Sequence, residues 1–243
     1  MSLLRAEKHY NNYTIDADHV VIWSGGCDST LLLKEVAEQY GTVDKPIVAL
    51  SVNHYLIDEN KNRIEKQRRE TILEVLKKQG LRILHTEINI SGDASVHTSY
   101  NNPTQAYIWL STVLPYIKDG GKFYLGYIRS DDATMKLSEI RELHKSIDKF
   151  LGKDTTLMTP YILNTKEDII SELMSSDLYK HTWYCEMPKD FEPCRNCQPC
   201  KTHQMAIIGL ACKGDEDAIK ILPEHVKIVK KYLPHYRREL ISE

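Results

Sequence analysis

His19-Val20-Val21-Ile22-Trp23-Ser24-Gly25-Gly26-Cys27-Asp28-Ser29-Thr30, followed by Leu31-Leu32-Leu33-Lys34-Glu35-Val36-Ala37, reads as a buried strand, a glycine turn and a helix with an apolar face. The turn is suited to phosphate. Gly25 and Gly26 lack a Cβ, so the backbone can turn sharply and approach an anion, while Ser24, Ser29 and Thr30 bring hydroxyls beside the free N–H groups of a helix start. This combination predicts a cradle for pyrophosphate. Asp28 stands one residue before Ser29, where a carboxylate either caps the helix or helps hold magnesium beside the phosphates. The glycine-lysine-serine ending of a Walker loop is absent, as is the three-glycine dinucleotide fingerprint.

Working outward, residues 46–52 form a β-branched apolar run suited to a strand, and 61–79 have the period of a helix that ends at Gly80. The unit then repeats: a strand over 81–88, a helix over 103–118 entered at Pro103, a stop at Gly120-Gly121 and a strand over 122–127. Such alternation predicts an α/β fold, a doubly wound and mainly parallel sheet covered on both faces, with ligands at the carboxyl ends of its strands. A further helical pattern covers 134–150. Thr159-Pro160 breaks it, and Asn164 or Thr165 caps the next helix. Lys166 in that helix's first turn opposes the helix dipole unless an anion lies nearby, so it is read either as a phosphate contact or as a surface lysine.

The chain has 243 residues, 42% hydrophobic and 27% charged, enough for a substantial core in one large unit with an appendage. Its apolar runs fall far short of the ~20 residues of a membrane span, and the N-terminus lacks a signal-peptide pattern, so a cytoplasmic protein is expected. A formal net charge of −2 gives no general attraction to a polyanion. The densest basic run, KNRIEKQRR at 61–69, is interleaved with glutamates at helical spacing and is read as a solvated helix face.

Cys185, Cys194, Cys197 and Cys200 form a C-x8-C-x2-C-x2-C cluster. Four thiolates suit tetrahedral zinc, and a closed set of four leaves no position for substrate, which makes the ion structural. An iron–sulfur cluster and a disulfide pair are the rival readings. The spacing lacks the usual ferredoxin run, and cytosolic chains seldom keep disulfides. Outside the cluster, Cys212 is expected to be a small core residue. Cys27 lies in the loop, where N–H groups could lower a thiol pKa, although a structural role is favoured over nucleophilic catalysis.

The glycine loop resembles the SGGxDS loop of the PP-loop ATP pyrophosphatases. Together with GYIRSDD at 126–132, TPYILNTKEDII at 159–170 and TWYC…PCRNCQPC at 182–200, it resembles the 7-cyano-7-deazaguanine synthases of that superfamily. The resemblance implies an ATP-binding domain over 1–160 and a helical, zinc-holding region over 161–243, forming one compact unit and pairing as a homodimer. It implies ATP, magnesium and zinc as cofactors, with Ser24, Asp28 and Ser29 catalytic. ATP contacts fall on residues 24–30, Val52, Gly126 and Lys166, the adenine being seated after the second strand, and Asp131 faces the substrate. The implied reaction adenylates 7-carboxy-7-deazaguanine, lets ammonia form the amide, and then uses a second ATP to dehydrate it to a nitrile.

The substrate-facing stretches depart from the family pattern. Val52-Asn53-His54-Tyr55-Leu56-Ile57-Asp58 replaces an aspartate-tyrosine stretch, Asn101-Asn102-Pro103-Thr104 replaces a basic-asparagine pair, and the tyrosine-glycine-tyrosine-proline-aspartate run after Asp131 is missing. Arg195 stands where the knuckle usually has glycine. Two other readings therefore stand beside the synthase. One is a diverged relative, of the kind found in anti-phage defence clusters, that passes the deazapurine acyl group to a protein or other amine. The other is a noncatalytic zinc module that binds nucleotide or RNA.

Overall fold

The strand expected at residue 19 is the centre of a five-stranded sheet. A computed structural model describes residues 4–6, 13–54, 59–90 and 105–222. In chain order they form β1 (Leu4–Ala6), β2 (Tyr13–Ile15), β3 (His19–Ile22), α1 (Cys27–Tyr40), β4 (Ile47–His54), α2 (Glu59–Lys78) and β5 (Ile83–Ile90). There follow α3 (Gln105–Val113), β6 (Lys122–Tyr124), α4 (Leu137–Leu151), β7 (Thr156–Met158), α5 (Lys166–Met174) and α6 (Gln198–Cys212). The sheet order is β5-β4-β3-β6-β7, and every pair in it is parallel. β1 and β2 make a separate antiparallel pair.

Both faces of the sheet are covered, as a parallel sheet requires. One face packs Leu31, Leu32 and Val36 of α1 with Ile72 and Leu76 of α2, Ile169, Ile170 and Leu173 of α5, and Ile207 and Leu210 of α6. The other packs Leu110 and Val113 of α3 and Ile140 of α4 against Val20, Ile22, Leu50 and Phe123. A single apolar cluster thus joins α1 near the start of the chain to α6 near residue 200. Among the described residues, no helix is long and apolar enough to cross a membrane.

Several boundaries shift. The helix expected over 103–118 stops at Val113, because Pro115 leads Leu114–Tyr116 into a tighter 3₁₀ turn; its expected start at Pro103 and the departures at 55–58 and 101–104 lie outside the described residues. The strand expected over 122–127 ends at Tyr124. β7, three residues long, is too short to display a period in the sequence.

Candidate functional site

β3 is followed in the chain by β4 on one side and flanked by β6 on the other, so the loop at 23–26 sits at the carboxyl edge of the sheet where the strand order reverses. Gly25 has φ +87°, and a Cβ there would lie 3.0 Å from Arg69 Cγ, so only glycine fits. The Ser24 and Ser29 hydroxyls stand 3.1 Å apart. Gly26 N–H donates to Ser24 Oγ at 3.2 Å, and Ser24 N–H donates to Ser29 Oγ at 3.2 Å. The N–H groups of Cys27, Asp28 and Ser29 open α1 and have no acceptor within the helix. Hydroxyls and open N–H groups at a helix start form an anion site.

The cap of α1 is Gly26, which corrects the reading of Asp28 as the cap. Asp28 lies inside the first turn. Its Oδ2 accepts from Lys166 Nζ at 2.6 Å, while its Oδ1 is buried without a hydrogen-bond partner. A carboxylate oxygen without a donor, beside a phosphate cradle, fits a divalent cation such as magnesium. Lys166 finds in Asp28 the anion that its first-turn position called for. Burial pulls its pKa down, but the Asp28 carboxylate more than offsets this, and the net shift is upward. Thr165 and Asp168 complete a capping box that holds this end of α5 in place.

Gly126, just beyond β6, presses on the same loop. A Cβ there would lie 3.2 Å from Ser29 N and 3.3 Å from the Asp28 carbonyl carbon. Ser24, Asp28, Ser29, Gly126 and Lys166 therefore converge. Val52 lies on neighbouring β4, half-buried and in register with Ile88. Asp131 is half-buried, and its Oδ2 accepts from Ile128 N–H at 2.9 Å, so the carboxylate shapes the turn it belongs to. Thr30 departs from expectation. It is fully buried, its hydroxyl accepts from Trp23 Nε1 at 3.0 Å and its N–H donates to Gly26 O, so it braces the loop from behind.

Cys27 also faces inward, and burial raises its thiol pKa, opposite to the lowering that loop N–H groups could bring. Its Sγ is 3.2 Å from Thr182 Oγ1 and 4.0 Å from His203 Nδ1. His203 is in turn 3.0 Å from Tyr179 OH and stacked on Tyr184 at 3.7 Å. Next to Thr182, Trp183 N–H donates to Gly25 O at 3.0 Å, and Trp183 Nε1 donates to Cys185 O. The loop is thus tied from below to the cysteine knuckle.

In the knuckle, the sulfurs of Cys185, Cys194, Cys197 and Cys200 all lie within 4.8 Å of one another, and no disulfide joins them. A tetrahedral zinc with Zn–S near 2.3 Å sets its ligands about 3.8 Å apart, so the donor set fits one shared ion. Burial works against ionising Cys194, but the N–H groups of Asn196 and Cys197 and neighbouring thiols hold its pKa down to about 6. Arg195 has φ 58°, in the left-handed region that favours glycine. Cys212, expected in the core, is exposed at the end of α6.

The basic run at 61–69 is not a uniformly solvated face. Arg69 is 2% exposed and lies under the loop: Nη1 donates to Ser24 O at 3.4 Å, and Nη2 donates to Asn53 Oδ1 at 2.8 Å and Glu87 Oε1 at 3.1 Å. Lys61 is held between Glu65 and Glu186. Helical spacing alone could not show that one cation of the run faces a glycine; only the φ and contacts of Gly25 reveal it. Ser51 and His85 complete the layer, Ser51 Oγ donating to Trp23 O at 2.7 Å and lying 3.0 Å from His85 Nε2.

Burial pulls the His85 pKa down to about 4, against the opposing attraction of Glu87. An unfolded histidine titrates near 6.5, so this contribution to stability is fully present above about pH 6.5 and is lost as pH falls toward about 4. Chemical denaturation between those pH values should show a falling midpoint, and His85→Gln should flatten the fall. An unchanged slope in the variant would assign the dependence elsewhere.

No family model matches the sequence, and neither does any curated protein. Several solved structures are similar in part, and two of them illustrate the likeness. One is the U34-tRNA thiolase NcsA from Methanococcus maripaludis with its [4Fe-4S] cluster, at 12% identity over 88% of this chain and 74% of that one, with a TM-score of 0.44. The other is a 4-thiouridine synthetase–RNA complex with bound ATP, at 14% identity over 88% of this chain and 53% of that one, with a TM-score of 0.46. The chain thus spans about half the length of the second. Neither likeness bears on what this chain acts on.

Proposed function

We propose that this chain is an adenylating enzyme that cleaves ATP to AMP and pyrophosphate, activating a 7-carboxy-7-deazaguanine-like acid as the 7-cyano-7-deazaguanine synthases do. The observation that carries this reading is the cradle at the reversal of strand order: the Ser24–Ser29 hydroxyl pair, the open N–H groups of α1 and the buried, unpartnered Asp28 Oδ1. A carboxylate oxygen of the acid attacks the α-phosphorus and pyrophosphate leaves. An amine nitrogen then attacks the activated carbonyl carbon, loses a proton, and AMP leaves. The chain's part is to hold the departing charge, for which preorganised N–H and O–H donors need no reorganisation at the moment of reaction. Magnesium, when bound, would be held by Asp28 and would neutralise pyrophosphate; zinc in the knuckle would be structural.

Asn53, one of the positions that departs from the synthase pattern, is fixed between Arg69 and Asn89. That departure from the synthase pattern leaves ammonia and a protein amine as two acceptors to be separated by experiment. Purified protein, ATP, magnesium, the acid and ammonium should yield AMP, with products followed by mass spectrometry. Nitrile supports the synthase. Arrest at the adenylate or amide, relieved by a protein acceptor, supports acyl transfer. Release of ADP and phosphate without AMP would rule out the adenylating reaction.

A further inference from the structure

A recess of about 400 Å³ lies between α4 and the start of β7, at the opposite end of the sheet from the glycine loop. Arg141, Lys145 and Lys149 line it, four residues apart on α4 and so on one face of that helix. None of the three forms an ion pair among the described residues. Lys153 adds a fourth cation, its Nζ donating to the carbonyls of Pro115 and Ile117, with Asp148 and, outside the lining, Asp119 acting on its charge. Against these stand two carboxylates. Asp148 is turned inward onto Thr155, accepting from its N–H at 2.7 Å and its hydroxyl at 2.8 Å, and Asp154 is exposed. A chain with a formal charge of −2 thus carries a local excess of positive charge here.

Among the described residues, the other wall of the recess is an open strand edge. β7 is the last strand of the sheet among the described residues, and it bonds to β6 through Thr156 and Met158: Thr156 N–H donates to Gly121 O, and Met158 O accepts from Leu125 N–H. In a parallel pair alternate residues face the neighbour, so Leu157 between them turns both its N–H and its C=O outward. Asp148 already takes the next outward donor, Thr155 N–H. Leu157 is left as a place for one more strand to pair.

The two walls share a spacing. Residues four apart on a helix are separated by about 6 Å along its axis, and alternate residues of an extended chain by about 6.6 Å. A crossover helix runs roughly antiparallel to the strands it joins, so the cations of α4 march alongside β7. We propose that this edge takes an extended acidic peptide, paired to Leu157 as an added strand, with carboxylates at alternate positions facing Arg141, Lys145 and Lys149. The open backbone favours peptide over nucleic acid, as does the lining, which among the described residues holds no Phe, Tyr or Trp on which a base could stack.

Fluorescence anisotropy with a labelled octapeptide of strictly alternating glutamate and threonine tests this independently of any ATP chemistry. Binding is expected below about 100 µM, in the range of weak peptide docking. Arg141→Glu with Lys145→Glu should weaken it about tenfold, and Leu157→Pro, which deletes the outward N–H, about fivefold. A block octapeptide of the same composition, with all its glutamates preceding all its threonines, should bind less well. No binding by the unaltered protein, equal binding of the block peptide, or unchanged affinity in the charge-reversed variant would each overturn the proposal. Tighter binding of an oligouridine octamer would reassign the recess to nucleic acid.

Discussion

Replacing Asp28 with alanine is expected to lower AMP and pyrophosphate formation by about 10²–10³-fold, the scale for losing one preorganised electrostatic contact at a reacting group. Two changes coincide. The carboxylate oxygen suited to a cation disappears, and Lys166, 2.6 Å away and only 16% exposed, loses its counter-charge. The second change also costs stability, since an uncompensated charge is left partly buried. Asp28→Asn separates the two effects, because it keeps the side chain's shape while removing its charge. Turnover should fall in Asn nearly as far as in Ala, with a smaller drop in thermal midpoint. Full turnover in Asp28→Asn would remove Asp28 from the chemistry.

Removing the zinc proposed for the knuckle should have the larger structural effect. Apparent binding free energies of structural zinc run to about 10–16 kcal/mol in small modules, and the knuckle's own apolar cluster is small: Ile64, Trp183, Cys185 and Cys200. Chelation, or Cys200→Ser at a fully buried ligand position, should release the segment around 183–201 first. The glycine loop should loosen with it, because Trp183 N–H holds Gly25 O and Thr182 holds Cys27. Hydrogen exchange read by mass spectrometry should therefore show faster exchange at 183–201 and, to a lesser degree, at 23–29. Unchanged exchange at 23–29 in the metal-free protein would uncouple the two sites. Elemental analysis should find one zinc per chain, and a visible absorption band from bound iron would replace that assignment.

Where the sequence was informative, the reason was local. A buried run, two glycines and a helix start specify β3 and α1 with no long-range knowledge, and the strand–helix alternation gives the parallel sheet. Cysteine spacing likewise marks the knuckle. What stayed hidden depends on contacts between distant residues. Arg69 looks like its neighbours in a charged helix until α2 is laid beneath Gly25, and Thr30 looks like a third loop hydroxyl until Trp23 is seen to bond it. Lys166 carried a usable signal, a cation where the helix dipole disfavours one, but its counter-ion lies 138 residues earlier. Residue type places Cys212 in the core, but the end of α6 leaves it exposed.

The partners of Cys27 and Asp28 have a consequence for how the chain is made. Lys166, Thr182, Trp183 and His203 all follow the glycine loop by roughly 138 residues or more, so a nascent chain carries the loop out of the ribosome long before the residues that brace it. Until α5 has emerged Asp28 lacks its counter-charge, and until α6 has emerged Cys27 lacks His203. The bracing of the glycine loop is therefore assembled in stages, α5 first and α6 after it.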